Sequence, residues 1–496
     1  MLFNSVGFLV FFPVVTLIYF LIPHRARHLW LLVCSYYFYM CWNAVYALLL
    51  LLSTLITWVS GLAIAAYRRQ GGELGQLKSQ GVVAISFTLN LMILTVFKYA
   101  GFLLDNLNLL LRRVGVALSP PGFSLLLPVG ISFYIFQALS YTVDVYRGDV
   151  PVERNPLKYA LFVAFFPQLV AGPIERSSRL LGQFDQRHRF DYERMARGLM
   201  LMLWGYFQKM VIADRLAVLV SRVFDYYTAC TGLEVLVACV FFAFQIYCDF
   251  AGYSCIAIGA AQVMGFELME NFKQPYLGIC IADFWRRWHI SLTSWFRDYL
   301  YIPLGGNRKG RWAKYRNIMI VFLTSGLWHG ANWTFVIWGG LNGLFQILGE
   351  GLRPARQRLK AMLRIDEGAA STRLAAMAVT FALVDLTWVF FRADTLADAV
   401  GILRQLLSGG YLATLFDGGL YALGLSRLDF WLGVFFLLIL LAVDVLHERN
   451  VQIRGWLLGQ ALWFRWGVYI AAALTILVFG FYGPQYDAAQ FIYFQF

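Results

Sequence analysis

Two histidines, His289 and His329, stand 40 residues apart. His289 lies in a basic, aromatic block, Asp283-Phe-Trp-Arg-Arg-Trp-His-Ile-Ser-Leu. His329 lies in an apolar segment that carries Ser325-Gly-Leu-Trp-His-Gly-Ala-Asn. One imidazole sits among charges and the other among residues that belong in lipid, an arrangement suited to acid–base chemistry across a membrane boundary. A neutral imidazole is the cheapest general base to bury, because its working pKa already lies near neutrality. Ionisable residues inside a membrane are rare and mark function. Ser325 stands one turn before His329 and Asn332 about one turn after it, so either can fix its tautomer. Asn332 or backbone N–H groups at the glycine turn can also hold an oxyanion. The structural alternative makes His329 a tie between two helices and His289 a hydrogen-bonded support.

Composition says what must position these groups. The chain has 496 residues, 60% hydrophobic and 14% charged, with a mean hydropathy of +0.63. Soluble proteins carry about 25% charged residues. Apolar runs recur from Leu2–Ile22 to Trp466–Phe481, and at roughly 20 residues per crossing they predict about ten to thirteen membrane segments. Helices are the default, since a chain facing lipid must satisfy its own backbone. The expected fold is an all-α polytopic membrane protein, a single domain over residues 1–496. The first run is too long for a signal-peptide core and reads as a retained helix. Seven cysteines form no CxxC pair and read as small buried apolar residues. No metal is required, and no ligand cluster suggests one. The net charge of +13 does not imply nucleic acid. Lys and Arg crowd the short loops, as the positive-inside rule expects of cytoplasmic loops.

Three loops are strongly basic: residues 175–197, 283–316 and 353–373. If the second and third share a side, residues 317–350 must leave and return. Those residues are too few for two comfortable crossings at about 20 each. A shortened or re-entrant hairpin is expected, with Gly326, Gly330, Gly339 and Gly340 as flexible points and His329 near its turn.

The second loop has helical spacing. Trp285, Trp288, His289, Leu292, Phe296 and Tyr299 share one face, and Asp283, Arg287, Ser294 and Asp298 another, which predicts an amphipathic helix at the membrane interface. Gln245, Asp249 and Tyr253 form a polar stripe on an apolar helix. Such a stripe faces protein or a cavity, as a buried hydrogen-bond network or as the lining of a substrate tunnel. The C-terminal Phe491-Ile-Tyr-Phe-Gln-Phe is an interfacial anchor or, through Tyr493, an acyl relay.

The motifs resemble those of the membrane-bound O-acyltransferase (MBOAT) family, most like its bacterial alginate and polysaccharide O-acetyltransferase branch. The matching text is Phe165-Phe-Pro-Gln-Leu-Val-Ala-Gly-Pro-Ile, Gln245-Ile-Tyr-Cys-Asp-Phe-Ala-Gly-Tyr-Ser, the block from Asp283, Trp295-Phe-Arg-Asp-Tyr-Leu-Tyr-Ile-Pro-Leu-Gly-Gly-Asn-Arg and Gly326-Leu-Trp-His-Gly-Ala. The motif core covers residues 120–345 or so, and together these motifs are specific where each alone is weak. Cys248 and Cys255 depart from the branch's usual text, which bears on tunnel lining or acceptor choice and leaves both histidines in place. The resemblance implies that His329 is the family's catalytic histidine and His289 its second important one. The C-terminal motif is similar to one in a small partner of related D-alanyl transferases.

The implied reaction takes an acetyl group from cytoplasmic acetyl-CoA, a substrate rather than a bound cofactor, across the bacterial inner membrane to an exopolysaccharide such as alginate. Arg286, Arg287, Arg308 and Lys309 are the expected phosphate-binding groups of the donor. A periplasmic or extracellular acetyltransferase, the polysaccharide synthesis machinery and membrane lipid are the expected partners. Two rivals stand beside this: an O-acyltransferase acting on lipid, teichoic acid or protein, and a transporter whose histidines gate a pathway. The chain lacks the paired repeats that transporters often carry.

Overall fold

The computed structural model describes residues 1–115, 127–170, 172–482 and 492. Their regular structure is all helical, with no strand among the described residues. Among the described residues, six helices are long and apolar enough to cross a membrane: Ala44–Gln70, Gly72–Arg112, Gly232–Met264, Ala370–Arg392, Arg427–Glu448 and Leu462–Phe479. Val6–Leu21 is a shorter apolar helix. Other apolar runs fold as helices that are shorter or carry charge. The run from Leu199, for example, lies in Tyr192–Tyr206, a π-helical turn at Phe207–Ala213 and Asp214–Asp225. The fold is that of an all-α, multi-pass membrane protein.

The chain forms two compact units, Met1–Leu201 with Ile256–Met269, and Met202–Cys255 with Glu270–Phe496. In the first, small polar residues hold the helices together. Ser53 donates to Asn90 at 2.6 Å and the Tyr159 hydroxyl to Thr57 at 2.7 Å, the interhelical hydrogen bonding expected where both sides are apolar. Glu175, in the loop after the Phe165 motif, is fully buried, and its carboxylate accepts the Met269 N–H. Gln183 exchanges two hydrogen bonds with the Glu267 backbone, at 2.7 and 2.9 Å.

Burial pushes the Glu175 carboxyl up from 4.5 to about 7, against the weaker pull of the Met269 N–H and of Arg179 and Arg176. The folded state therefore holds this proton more tightly than the unfolded chain between pH 4.5 and about 7, and stability falls as pH rises through that window. Glu175→Gln keeps an oxygen for Met269 and removes the ionisation. The variant should melt above the wild type at pH 8 and with it at pH 4.5. Parallel melting curves across this range would refute the assignment.

In the second unit the expected hairpin is present. Helix Gly310–His329 turns at residues 330–332 into helix Trp333–Gly351. Its ends lie side by side, with Lys314 Nζ 2.6 Å from Glu350 Oε1, so the basic stretches 308–316 and 353–364 leave from the same end. The arms have 20 and 19 residues, about 30 Å each, longer than the sequence count allowed because the first arm starts seven residues early, in its basic turn. Neither arm is among the six apolar spans.

The hairpin glycines are contact points rather than flexible ones. A Cβ on Gly326 would lie 2.3 Å from the Phe335 carbonyl oxygen, one on Gly339 2.2 Å from the Phe322 carbonyl oxygen, and one on Gly330 2.2 Å from the Phe335 ring. Gly340, by contrast, meets nothing closer than a Leu323 methyl at 3.6 Å. Gly339→Ala presses on backbone, which cannot swing aside, and should cost at least the about 1–3 kcal/mol typical of overpacking. Gly340→Ala, one residue on, should melt like the wild type. Equal melting temperatures for the two variants would show that the arms separate freely.

The buried cations Lys209 and Arg215 of this unit are paired. Lys209 lies 2.8 Å from Asp214 and 2.6 Å from Asp249, and Arg215 bonds Asp429 at 2.8 Å and the Phe479 carbonyl at 2.7 Å. The Tyr247 hydroxyl donates to Asp444 at 3.2 Å.

Candidate active site

His329 is the last residue of the first hairpin arm. Its ring is 5% exposed and stands edge-on to three aromatic rings: Trp328 at 4.9 Å, Trp338 of the return arm at 5.0 Å and Phe391 of the Ala370–Arg392 helix at 5.2 Å between centroids. Trp388 extends this wall, stacked on Trp338 at 5.8 Å and 5.0 Å from Trp288.

His289 arrives from another direction and meets the same wall. Its ring is 1% exposed, 4.6 Å from Phe250 and 6.0 Å from Trp328. Trp328 therefore touches both histidines, and residues 40 apart in sequence share one aromatic cluster. Burial lowers the His289 pKa to about 3, so this imidazole is neutral at physiological pH and suits a hydrogen-bonding role rather than that of a standing cation.

The segment around His289 departs from expectation. In place of one amphipathic helix there are two, Ile281–Arg287 and Ile290–Phe296, broken at Trp288 and His289. Most of its apolar face is buried in protein: Trp285, Trp288, Leu292 and Phe296 are core residues, and Tyr299 is half-buried. His289 sits in the left-handed region, φ 43° and ψ 56°, a conformation that costs a side-chain-bearing residue about 1–2 kcal/mol.

Contacts distant in sequence hold it there. Asn271 accepts the Ile290 N–H on its carbonyl at 2.9 Å, and the Arg287 carbonyl accepts the Lys273 N–H at 2.9 Å, so the break is gripped on both sides. The Asn271 side chain accepts from Ser291 at 2.7 Å and donates to Ser254 at 2.9 Å. All three are buried, and Ser254 stands one helical turn from Phe250. Asn271→Ser should lower turnover by about tenfold to a hundredfold, the scale of a misplaced catalytic group. In a His289→Ala background it should add nothing, because residues acting as a unit are not additive. The same loss in both backgrounds would refute the linkage.

The other expected residues fall as follows. Ser325 is buried one turn before His329. Asn332 is committed to structure: its Oδ1 accepts the Thr334 N–H at 3.1 Å as a helix cap, and its Nδ2 donates to the Asp394 carbonyl at 2.9 Å. Arg286, Arg308 and Lys309 are exposed. Arg287 instead makes a two-pronged pair with Glu448, at 2.6 and 3.1 Å, and reaches Asp283 at 3.2 Å. These carboxylates occupy its guanidinium, so it is withdrawn from the donor-binding set.

Gln245, Asp249 and Tyr253 are all buried. The stripe is a polar network in the structure: Asp249 binds Lys209 and accepts the Ile492 N–H at 2.8 Å, and Lys209 lies over the Tyr253 ring at 5.6 Å. Gln245 Oε1 is buried with no hydrogen-bond partner among the described residues. Tyr493 lies outside the described residues. Four cysteines are buried as expected, while Cys41 is exposed.

Sequence reasoning missed Trp338, Phe391 and Asn271. Folding the expected hairpin about residues 330–332 would have brought Trp338 back toward His329. Nothing local marks Phe391 or Asn271, whose roles come from packing.

An all-helical, multi-pass membrane protein with two histidines gathered on one buried aromatic wall is the class that fold and site define. Residues 151–375 match the family model described as "MBOAT, membrane-bound O-acyltransferase family". A protein named "Probable alginate O-acetylase AlgI" from Pseudomonas putida KT2440 is 42% identical over 415 residues, covering 83% of this chain and 81% of its own. The "Peptidoglycan O-acetyltransferase" of Helicobacter pylori 26695 is 35% identical, covering 82% and 80%. The "Teichoic acid D-alanyltransferase" of Bacillus subtilis 168 is 30% identical over 231 residues, covering 44% and 58%. The chain belongs to the membrane-bound O-acyltransferase family and is an O-acetyltransferase enzyme.

Proposed function

We propose that this enzyme takes an acetyl group from acetyl-CoA at the cytoplasmic face of the bacterial inner membrane and passes it outward for O-acetylation of an exopolysaccharide such as alginate. The observation that carries the proposal is the convergence of His289 and His329 on Trp328. Arg286, Arg308 and Lys309, exposed on basic segments, receive the donor's phosphates. His329 takes the proton of the acceptor hydroxyl as its oxygen attacks the thioester carbonyl. Backbone N–H groups at the turn stabilise the oxyanion. The tetrahedral adduct then expels the CoA thiolate, which recovers that proton from His329, leaving an O-acetyl ester and free CoA thiol. The rings of Trp328, Trp338 and Phe391 keep bulk water from the thioester, and one of them must swing aside to admit the reactants.

The acceptor follows the relatives named for alginate, five of which are 40% to 42% identical to this chain. The hydroxyl acetylated at His329 is then that of a carrier, and an extracytoplasmic acetyltransferase partner would move the acetyl group from this ester to a hydroxyl of the polymer. The second reading, a cell-wall polymer as acceptor, is favoured by the peptidoglycan enzyme's similarity over 82% of the chain. Cells expressing wild type or His329→Ala and fed labelled acetate separate them. Label lost from exopolysaccharide in the variant supports the first reading, label lost only from peptidoglycan or teichoic acid supports the second, and unchanged label in every polymer refutes both.

A further inference from the structure

We propose that the short helix Arg353–Met362 is a docking surface for anionic lipid headgroups, seated on the leaflet at the open end of the catalytic hairpin. The helix has no buried residue. Leu352, Ala355, Leu359, Met362 and Leu363 fall at helical spacing on one side, and Met362 is 80% exposed. Arg353, Arg356, Arg358, Lys360 and Arg364 occupy the remainder. Their charge is only partly met within the chain: Lys360 reaches Glu367 at 3.1 Å, and Arg356 donates to the Gly349 carbonyl. Five cations over residues 353–367 face two acids, Asp366 and Glu367.

Connectivity determines what can cover this face. The helix follows directly on Gly351, the end of the hairpin, and the membrane span Ala370–Arg392 begins seven residues beyond Leu363. Seven residues reach at most about 25 Å, so the helix cannot move far from the bilayer surface. A basic amphipathic helix tethered there lays its apolar side into the acyl boundary and its cations among anionic headgroups. The Lys314–Glu350 pair puts Arg308, Lys309 and Arg311 at the same end of the hairpin, which enlarges the positive surface. The seat also has a bearing on the site, because the helix joins the arm that carries Trp338 to the span that carries Phe391, two walls of the His329 ring.

The test is amide hydrogen exchange over residues 353–363 in the whole enzyme, reconstituted in nanodiscs of phosphatidylcholine alone or with phosphatidylglycerol. Exchange should slow about tenfold or more in the anionic discs. The difference should vanish in R353Q/R356Q/R358Q/K360Q, with protection of the hairpin amides confirming that the variant is folded. A salt series on the unaltered protein asks the same question without substitution, since screening should restore fast exchange. Equal exchange in the two lipids would overturn the proposal. So would slowing that acetyl-CoA produces in neutral discs and phosphatidylglycerol does not, because the surface would then belong to the donor.

Discussion

Replacing His329 with alanine is expected to lower release of free CoA thiol from acetyl-CoA by about a hundredfold to ten-thousandfold, the usual contribution of a positioned general base. The loss should fall on turnover rather than on folding. The ring stands at the end of a helix whose packing runs through Gly326 and Gly339, so its removal leaves the hairpin contacts in place. His329→Gln, closer in volume, should lose as much activity with less change in the aromatic wall, because it supplies no base near neutrality. His289→Ala should cost less. Its neutral ring can orient or hydrogen-bond a reactant through the shared wall at Trp328, and the proton transfer itself is assigned to His329. Both His329 variants releasing CoA at the wild-type rate, with the thiol followed by a chromogenic disulfide, would remove His329 from the mechanism.

The second large effect is on stability. Lys209 is buried between Asp214 and Asp249 at 2.8 and 2.6 Å. Lys209→Met removes the only cation of the triad and leaves two carboxylates that are 4% and 2% exposed. Breaking a buried pair from one side costs about 3–5 kcal/mol, enough to abolish the folded enzyme in many membrane extracts. Neutralising all three groups is a different experiment. A buried ion cluster replaced as a whole by uncharged residues is often nearly neutral, so Lys209→Met with Asp214→Asn and Asp249→Asn should recover most of the folded yield. Size-exclusion profiles in detergent read the outcome. A single variant as monodisperse as the wild type would mean that the triad contributes little, and a triple variant as aggregated as the single one would mean that shape rather than charge is lost.

The membrane architecture was legible because lipid imposes a one-dimensional rule: a chain that crosses it without closing into a β-barrel must be helical and apolar for about 20 residues. Gly232–Met264 and Arg427–Glu448 obey it and could be read directly. The hairpin was legible by a related argument, since basic residues on both flanks require the intervening chain to return. The polar stripe on the Gly232–Met264 helix was visible, but its partners were not. Lys209 reaches Asp214 through a π-helical turn, and its second partner, Asp249, lies 40 residues on.

The chemistry of His289 shows the boundary most clearly. Its spacing with Trp285, Trp288 and Phe296 fits one continuous helix, and local propensity offers nothing against that. The break exists because Asn271, eighteen residues upstream, supplies a carbonyl to Ile290 and a side chain to Ser291. Arg287 likewise reads as a free phosphate-binding group until Glu448, 161 residues away, is seen to hold it.

Residue type and short-range spacing were enough to establish the solvent of this protein, the helical state of its backbone, its two imidazoles and its family. Folding in three dimensions was needed to bring both rings to Trp328, to set Gly326, Gly330 and Gly339 at close approaches, and to engage Arg287 and Asp249 in ion pairs. Those outcomes depend on which distant side chains compete for the same space and charge, and packing resolves that competition in three dimensions.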